Sequence, residues 1–114
     1  MHESGLTEDL FTHTMQHARE ANAQHITRVR VIIGALSDAT PESIRFYFDS
    51  LAAGTIAEGA ELEFDHAPGK AHCNACGNDV IIDELFTTCP RCGAYALQIT
   101  GGNGVYLDSL EVQT

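Results

Sequence analysis

Two matched cysteine pairs constrain this chain more than any other feature of its sequence. The segment from Cys73 to Gly93 contains two C-x-x-C motifs separated by twelve residues, and each motif is followed by a glycine. Thiolates are soft ligands, and two such pairs brought together by a hairpin form a closed tetrahedral site of four sulfurs that suits Zn²⁺. A glycine after the second cysteine adopts the positive φ that such a turn needs. The predicted structural zinc ligands are Cys73, Cys76, Cys89 and Cys92.

Two disulfides in a small secreted domain are the alternative arrangement for four cysteines. The N-terminal residues M-H-E-S-G-L-T-E-D-L are acidic and contain no apolar stretch of the kind found in signal peptides. We therefore expect a cytoplasmic, reducing location, where paired cysteines usually bind metal or carry out redox chemistry. A thioredoxin-like redox pair is disfavoured, because one shared metal site explains both motifs together.

Length and charge limit the partners of such a chain. Its 114 residues suffice for one ordinary domain, or for a small domain that carries a metal-stabilised unit. No apolar run is long enough to cross a bilayer, so no membrane role is expected. The formal net charge of -10 argues against nucleic acid, because phosphate binding needs clustered Lys and Arg. An acidic surface suits cations or a basic protein, or simply keeps the protein soluble.

The apolar pattern predicts regular structure on both sides of the cysteines. Helices are predicted at residues 5–23 and 41–53, and strands at 27–34, 60–66 and 105–112. Ser4 or Thr7 is expected to cap the first helix, whereas Thr40 caps the second with Pro41 at its first position.

Alternation along the strands predicts which side chains are buried. Val29, Val31 and Ile33 form one buried face of the first strand. In the last strand, Val105 and Leu107 are expected on one side and Leu110 on the other.

The last strand is expected to complete a sheet with the first two. The predicted fold is α/β (α+β), a three-stranded sheet with two helices and an inserted small zinc-ribbon-like unit built on the four cysteines. Residues 1–66 and 101–114 would form the α/β domain, and residues 67–100 the inserted zinc-binding domain. The inserted stretch has little regular apolar periodicity, so metal binding must supply part of its folding free energy.

The N-terminus carries a second candidate metal motif, Met1-His2-Glu3. Because His2 is bulky, Met1 should be retained, and the α-amine, the His2 amide nitrogen and the imidazole then form a fused chelate. Such a planar set of nitrogens favours Ni²⁺ or Cu²⁺. Glu3 could occupy an axial position or orient His2. By itself the motif is weak, since a chance histidine at position two would look the same.

Two further histidines lie four residues apart on the first predicted helix. His13 and His17 share a helix face and could chelate a metal. No third ligand is evident nearby, so the favoured interpretation places His17 at the edge of the core and His13 in solvent.

Taken together, the M-H-E start, the helix–strand–helix–strand order with an Ile-Gly after the first strand, and C-x2-C-x12-C-x2-C resemble the HypA/HybF family. These proteins are nickel metallochaperones of [NiFe]-hydrogenase maturation, and some also serve urease. The resemblance implies a nickel site at Met1, His2 and Glu3 and a structural zinc at the four cysteines. It also implies two partners, the GTPase HypB and a hydrogenase large-subunit precursor. Both a monomer and a homodimer fit.

Additional nickel ligands are not fixed by the resemblance. Asp38 and Glu42 are candidates for an acidic ligand, and His66 and His72 for an imidazole. Each also has an ordinary explanation, as a loop, helix-start or solvated residue.

Two other function classes remain for comparison. A zinc-ribbon protein-interaction module without a nickel role is the main alternative. An enzyme is disfavoured, because a closed four-sulfur site has no position for water and no serine–histidine pair or phosphate loop stands out.

Overall fold

The computed structural model of this chain describes residues 3–114, with side chains from residue 5 onward. Of the predicted nickel motif, Met1, His2 and the side chain of Glu3 therefore lie outside the described residues.

The described chain contains two helices and six strands arranged in two small sheets. The elements are α1 (Glu3–Glu20), β1 (His25–Gly34), α2 (Pro41–Ala52), β2 (Glu61–Ala67), β3 (Gly69–Cys73), β4 (Asp79–Ile82), β5 (Leu97–Gly101) and β6 (Val105–Gln113). One sheet has the order β2-β1-β6 and the other β4-β3-β5. The α+β class with two helices, one three-stranded sheet and a four-cysteine unit is confirmed, whereas the second sheet was not predicted.

The first sheet is built around β1. This strand pairs in parallel with β2 and antiparallel with β6. Parallel neighbours need a crossover connection, and α2 supplies it between β1 and β2. Val29 and Val31 are 0% exposed and Ile33 is 2% exposed, so the predicted buried face of β1 is confirmed.

A β-bulge in β6 overturns the predicted face of Leu110. Leu107 pairs with Val31 but Ser109 pairs with Arg30, so Asp108 is an extra residue in the ladder. One extra residue reverses the alternation that follows it. Leu110 consequently packs against the same core as Leu107, not on the opposite side.

Helix α1 is shifted toward the N-terminus relative to its prediction. It spans Glu3–Glu20, so Ser4 and Thr7 lie inside it and neither is its N-cap. Ala21 lies beyond its end and is exposed. Buried positions of the helix recur every four residues, at Leu10, Thr14 and Ala18, which are all at most 2% exposed. The Thr14 hydroxyl donates to the Leu10 carbonyl at 2.8 Å, which satisfies a buried polar group.

Helix α2 begins as predicted. The Thr40 side chain accepts from the Ser43 amide at 3.2 Å, and the Ser43 hydroxyl accepts from the Thr40 amide at 3.1 Å. This reciprocal pair is a capping box, with Pro41 following at the first helical position. Buried positions recur every four residues, at Ile44, Phe48 and Ala52.

Two other apolar side chains of α2 lie outside the core. Leu51 is only half-buried, and Tyr47 is 37% exposed. Both positions fall off the buried stripe.

The second sheet has its own small core and receives one side chain from outside it. Leu36, in the loop after β1, is 8% exposed and packs with the following residues of the sheet and its loops: Ala71, Cys73, Val80, Ile82 and Cys89. The Leu36 amide also donates to the Gly102 carbonyl at 2.8 Å.

Three glycines let the two sheets approach closely at this junction. A Cβ on Gly34 would lie 2.3 Å from the Gly102 carbonyl oxygen, and one on Gly69 would lie 2.6 Å from Cγ of Leu36. Gly102 has φ of 76°, which favours glycine in addition to the lack of space. At this junction the backbone segments of the two sheets are therefore in direct contact and are hydrogen-bonded to each other.

Candidate metal centre

The first cysteine pair forms a tight turn at the end of β3. The Cys73 amide donates to the Asn78 carbonyl at 2.9 Å, and the Gly77 amide donates to the Cys73 carbonyl at 2.8 Å. Gly77 has φ of 77°, as predicted for the position after the second cysteine. The turn aims the sulfurs of Cys73 and Cys76 in one direction, because its backbone is closed by these two bonds.

The second cysteine pair repeats this turn. The Cys89 amide donates to the Ala94 carbonyl at 2.9 Å, and the Gly93 amide donates to the Cys89 carbonyl at 2.8 Å. Gly93 has φ of 78°. Both pairs are thus the same local structure, and each presents two thiols.

The two turns bring all four sulfurs together. The Sγ atoms lie within 4.8 Å of one another, with Cys73 and Cys92 at 3.6 Å and Cys76 and Cys89 at 3.8 Å. A disulfide would need about 2.05 Å. A tetrahedral zinc with Zn–S bonds of about 2.3 Å separates its sulfurs by about 3.8 Å. The donor set and spacing therefore fit a single Zn²⁺ bound by four thiolates.

Hydrogen bonds to the sulfurs favour the thiolate form. The Cys76 amide lies 3.5 Å from the Cys73 sulfur, the Arg91 amide lies 3.4 Å from the Cys89 sulfur, and the Asn78 side-chain amide lies 3.4 Å from the Cys76 sulfur. All three are N–H donors, which stabilise negative charge on sulfur. Such donors orient and support metal ligands.

The sulfurs also affect one another electrostatically. Hydrogen bonds from the backbone and side chain of Asn78 lower the pKa of Cys76 to about 6. A hydrogen bond from Ala94 acts in the same direction on Cys92, but desolvation and the other three cysteines outweigh it and raise the Cys92 pKa to about 11. Four negative charges this close repel each other unless a cation lies between them. A bound divalent ion removes that conflict.

The weaker nickel-ligand candidates do not join this cluster. Among the described residues, the four cysteines are the one group of three or more potential ligands close enough to share an ion. Asp38, Glu42 and His66 are exposed, in the loop before α2, the first turn of α2 and β2. His72 neighbours Cys73, but strand alternation directs the two side chains to opposite faces of β3. Its Nδ1 instead lies 2.8 Å from Oδ1 of Asp79.

The histidine pair of α1 is more exposed than expected. His13 and His17 both line a groove of about 400 Å³ between α1 and β6. The His17 side chain is 61% exposed, so it does not lie at the edge of the core as predicted.

None of the described helices is long and apolar enough to span a membrane.

Fold and site together define a class: a small α+β protein that carries a zinc-ribbon-type centre of four cysteines between two of its strands. Comparison with known families narrows this class. Residues 1–112 match the family model described as "Hydrogenase/urease nickel incorporation, metallochaperone, hypA". The chain therefore belongs to the HypA family of nickel metallochaperones, which confirms the resemblance seen in the sequence.

Curated relatives agree along the full length. The chain is 42% identical to hydrogenase maturation factor HypA 2 of Bradyrhizobium diazoefficiens over 112 residues, covering 98% of this chain and 99% of the relative. It is 40% identical to hydrogenase maturation factor HypA of Albidiferax ferrireducens over 113 residues, covering 99% and 100%.

Solved structures show the same architecture. The solution structure of the Ni metallochaperone HypA from Helicobacter pylori matches with a TM-score of 0.80 at 26% identity, covering 98% of this chain and 97% of that one. A second solution structure of a HypA protein matches with a TM-score of 0.72 at 26% identity, covering 99% and 97%.

Proposed function

We propose that this chain is a nickel metallochaperone that binds Ni²⁺ at its N-terminus and delivers it during maturation of [NiFe]-hydrogenase. Urease is a second candidate recipient of the nickel. The four cysteines hold a structural zinc. The observation that carries the proposal is the family match over residues 1–112, on a chain whose four cysteine sulfurs fit one zinc ion. The proposal includes a cytoplasmic location and no catalytic activity of its own.

The proposed nickel ligands are the α-amine of Met1 and the amide and imidazole nitrogens of His2, with Glu3 as an axial or orienting group. A planar nitrogen set of this kind suits Ni²⁺. Chain termini are in general the segments that move between proteins at the lowest cost. A site there can therefore receive and release its cargo.

The proposed zinc ligands are Cys73, Cys76, Cys89 and Cys92. Bound zinc would tie the two turns together and contribute folding free energy to the second sheet. With four protein ligands it leaves no position for water or cargo. We therefore propose that the cysteines hold their zinc permanently and stabilise the fold, whereas nickel exchanges at the N-terminus. We place the zinc-binding unit at residues 67–100. It lies in sequence between the two parts of the nickel-binding domain, residues 1–66 and 101–114.

A nickel titration of tag-free protein tests the N-terminal site. His2→Ala should abolish stoichiometric Ni²⁺ binding in calorimetry, because it removes the imidazole that completes the chelate. Zinc content and circular dichroism should stay unchanged. His25→Ala, a histidine in β1, is the matched control and should bind nickel normally. Undiminished nickel binding by the His2 variant would show the proposed site to be wrong.

An uncleaved N-terminal extension tests the role of the α-amine separately. The extension converts the Met1 amine into an amide, so nickel affinity should fall although His2 is still present. Equal affinity with and without the extension would remove Met1 from the ligand set and leave His2 and Glu3 in it.

The proposed partners are a HypB-type GTPase and a hydrogenase large-subunit precursor, bound by a monomer or a homodimer. Affinity purification of the native chain, followed by mass spectrometry, should recover one or both. Recovery of a partner by a protein that binds no nickel at any pH would instead favour a zinc-ribbon interaction module.

A further inference from the structure

A groove between α1 and β6 contains polar groups that the proposed function does not use. Its apolar floor includes Leu10 and Leu107, and its volume is about 400 Å³. Three potential metal ligands of α1 line it at four-residue intervals, Asp9, His13 and His17. No lysine or arginine is among the described residues that line it.

Helix geometry places the two histidine side chains one above the other. Residues four apart on a helix have Cβ atoms about 5–6 Å apart and point to the same side. Two imidazoles in this relation can bind one metal ion as a chelating pair. The pair remains available, because both residues are exposed and His17 Nδ1 lies 3.9 Å from Glu20 Oε2, beyond hydrogen-bond distance.

We propose that His13 and His17 form a second site for a divalent first-row transition-metal ion. Imidazole nitrogens suit Ni²⁺, Cu²⁺ and Zn²⁺. The Asp9 carboxylate is not a third ligand of this ion, because Asp9 and His17 are separated by about 12 Å along the helix axis. The remaining coordination positions belong to water, since the groove is open. The site stands independently of the N-terminal nickel site, and it exchanges its ion faster than the closed cysteine cluster because it holds fewer protein ligands.

The charge of the molecule supports a cation here. The formal net charge is -10, and Asp9 adds a carboxylate at the groove itself. An acidic surface raises the local concentration of divalent cations by long-range attraction. The order of affinities should follow the general preference of nitrogen sites, with Cu²⁺ bound more tightly than Ni²⁺.

The test uses tag-free, zinc-loaded His2→Ala protein, which lacks the proposed N-terminal site. Titration with Ni²⁺ and with Cu²⁺, followed by paramagnetic broadening of amide NMR signals, should broaden residues near 13–17 and the facing residues 104–107. Replacing either histidine, as His13→Ala or His17→Ala, should weaken binding at least about tenfold, because a chelate needs both donors. Alanine favours helix, so α1 should remain folded.

His25→Ala in the same background is the control and should leave the groove signals and the affinity unchanged. Absence of broadening near 13–17, or a loss no larger for the groove histidines than for His25, would overturn the proposal.

The reciprocal experiment separates the two sites. A His13→Ala, His17→Ala protein with His2 intact should still bind one nickel ion at its N-terminus. If this double variant lost all nickel binding while His2→Ala lost none, the N-terminal proposal would fall and the groove site would stand.

Discussion

Gly102 lies at a position where both the backbone conformation and the lack of space favour glycine. Its φ is 76°, and a Cβ there would lie 2.2 Å from the Pro68 carbonyl oxygen. Gly54 has a similar φ of 78° but no atom within 4 Å of the Cβ position. A comparison of the two positions therefore distinguishes the cost of backbone strain from the cost of steric overlap.

Alanine substitutions at these glycines should differ in cost. Gly54→Ala should lower the free energy of unfolding by about 1 kcal/mol, the usual cost of a left-handed conformation for alanine. Gly102→Ala should lower it by about 3 kcal/mol or more, because Pro68 backbone must also move. Urea denaturation of zinc-loaded protein measures both free energies of unfolding. Equal losses in the two variants would contradict the close contact between Gly102 and the Pro68 backbone.

Single residues also explain why some candidates were misjudged. His17 was expected at the edge of the core, yet the buried positions of α1 include Leu10, Thr14 and Ala18. Which residue of a helix turn faces the core depends on where the partner element lies, and here β6 and α2 decide it.

Among the secondary-structure elements, the loop after β1 has the widest influence. Leu36 in this loop is 8% exposed and packs into the core of the second sheet. Its neighbours are short strands, so one large side chain is a substantial part of that core. The second sheet therefore depends on a segment that precedes it by more than thirty residues in sequence.

Leu36→Ala should destabilise the second sheet by about 2–4 kcal/mol, the range found when a buried leucine leaves a cavity. Hydrogen exchange should show the loss in β3 and β5, whereas exchange in the centre of β1 should change little.

Leu85→Ala is the matched control, since Leu85 is 43% exposed and its truncation should cost at most about 0.5 kcal/mol. A Leu36 variant as stable as the Leu85 variant would show that this loop does not support the second sheet.

On the scale of the whole molecule, two cores lie end to end. The radius of gyration is 16.8 Å, against about 13 Å for a compact chain of this length. The extents of 52 × 24 × 18 Å describe an elongated molecule. One core lies between the first sheet and the helices, and the other beside the cysteines.

Loss of zinc should therefore unfold one end of the molecule before the other. Cys89→Ser should abolish zinc binding, since Cys89 is 2% exposed and its sulfur is one of the four proposed ligands. Amide protection should then be lost in β3, β4 and β5 and retained in the centre of β1. Metal analysis and hydrogen exchange measure the two effects.

Thr88→Ser, at the exposed preceding residue, should retain zinc and full protection. Parallel loss of protection in β1 and β3 in the Cys89 variant would mean that the two cores unfold as one.

Charged side chains on the solvent face of the first sheet form ion pairs. Arg28 and Arg30 lie on the solvent face of the first sheet among carboxylates, and the Arg28 guanidinium is 2.9 Å from Glu63. Glu111, Glu63 and Glu61 raise the pKa of Arg28. Two of the six basic residues are thus engaged with acidic neighbours.

Local chemistry in the sequence determined much of this protein. The C-x-x-C-G turns, the Thr40 capping box and the buried alternation of β1 each depend on residues a few positions apart, so they could be recognised without a structure. The cysteine pairs and the M-H-E start also identified the family.

Tertiary contacts decided the rest. The strands of the second sheet have only four or five residues each, too few for a clear alternation, and they form because β3 pairs with both neighbours. The bulge at Asp108, the position of Leu36 and the groove beside His13 and His17 all depend on residues far apart in sequence. Such contacts are set by three-dimensional packing, so no local pattern could reveal them.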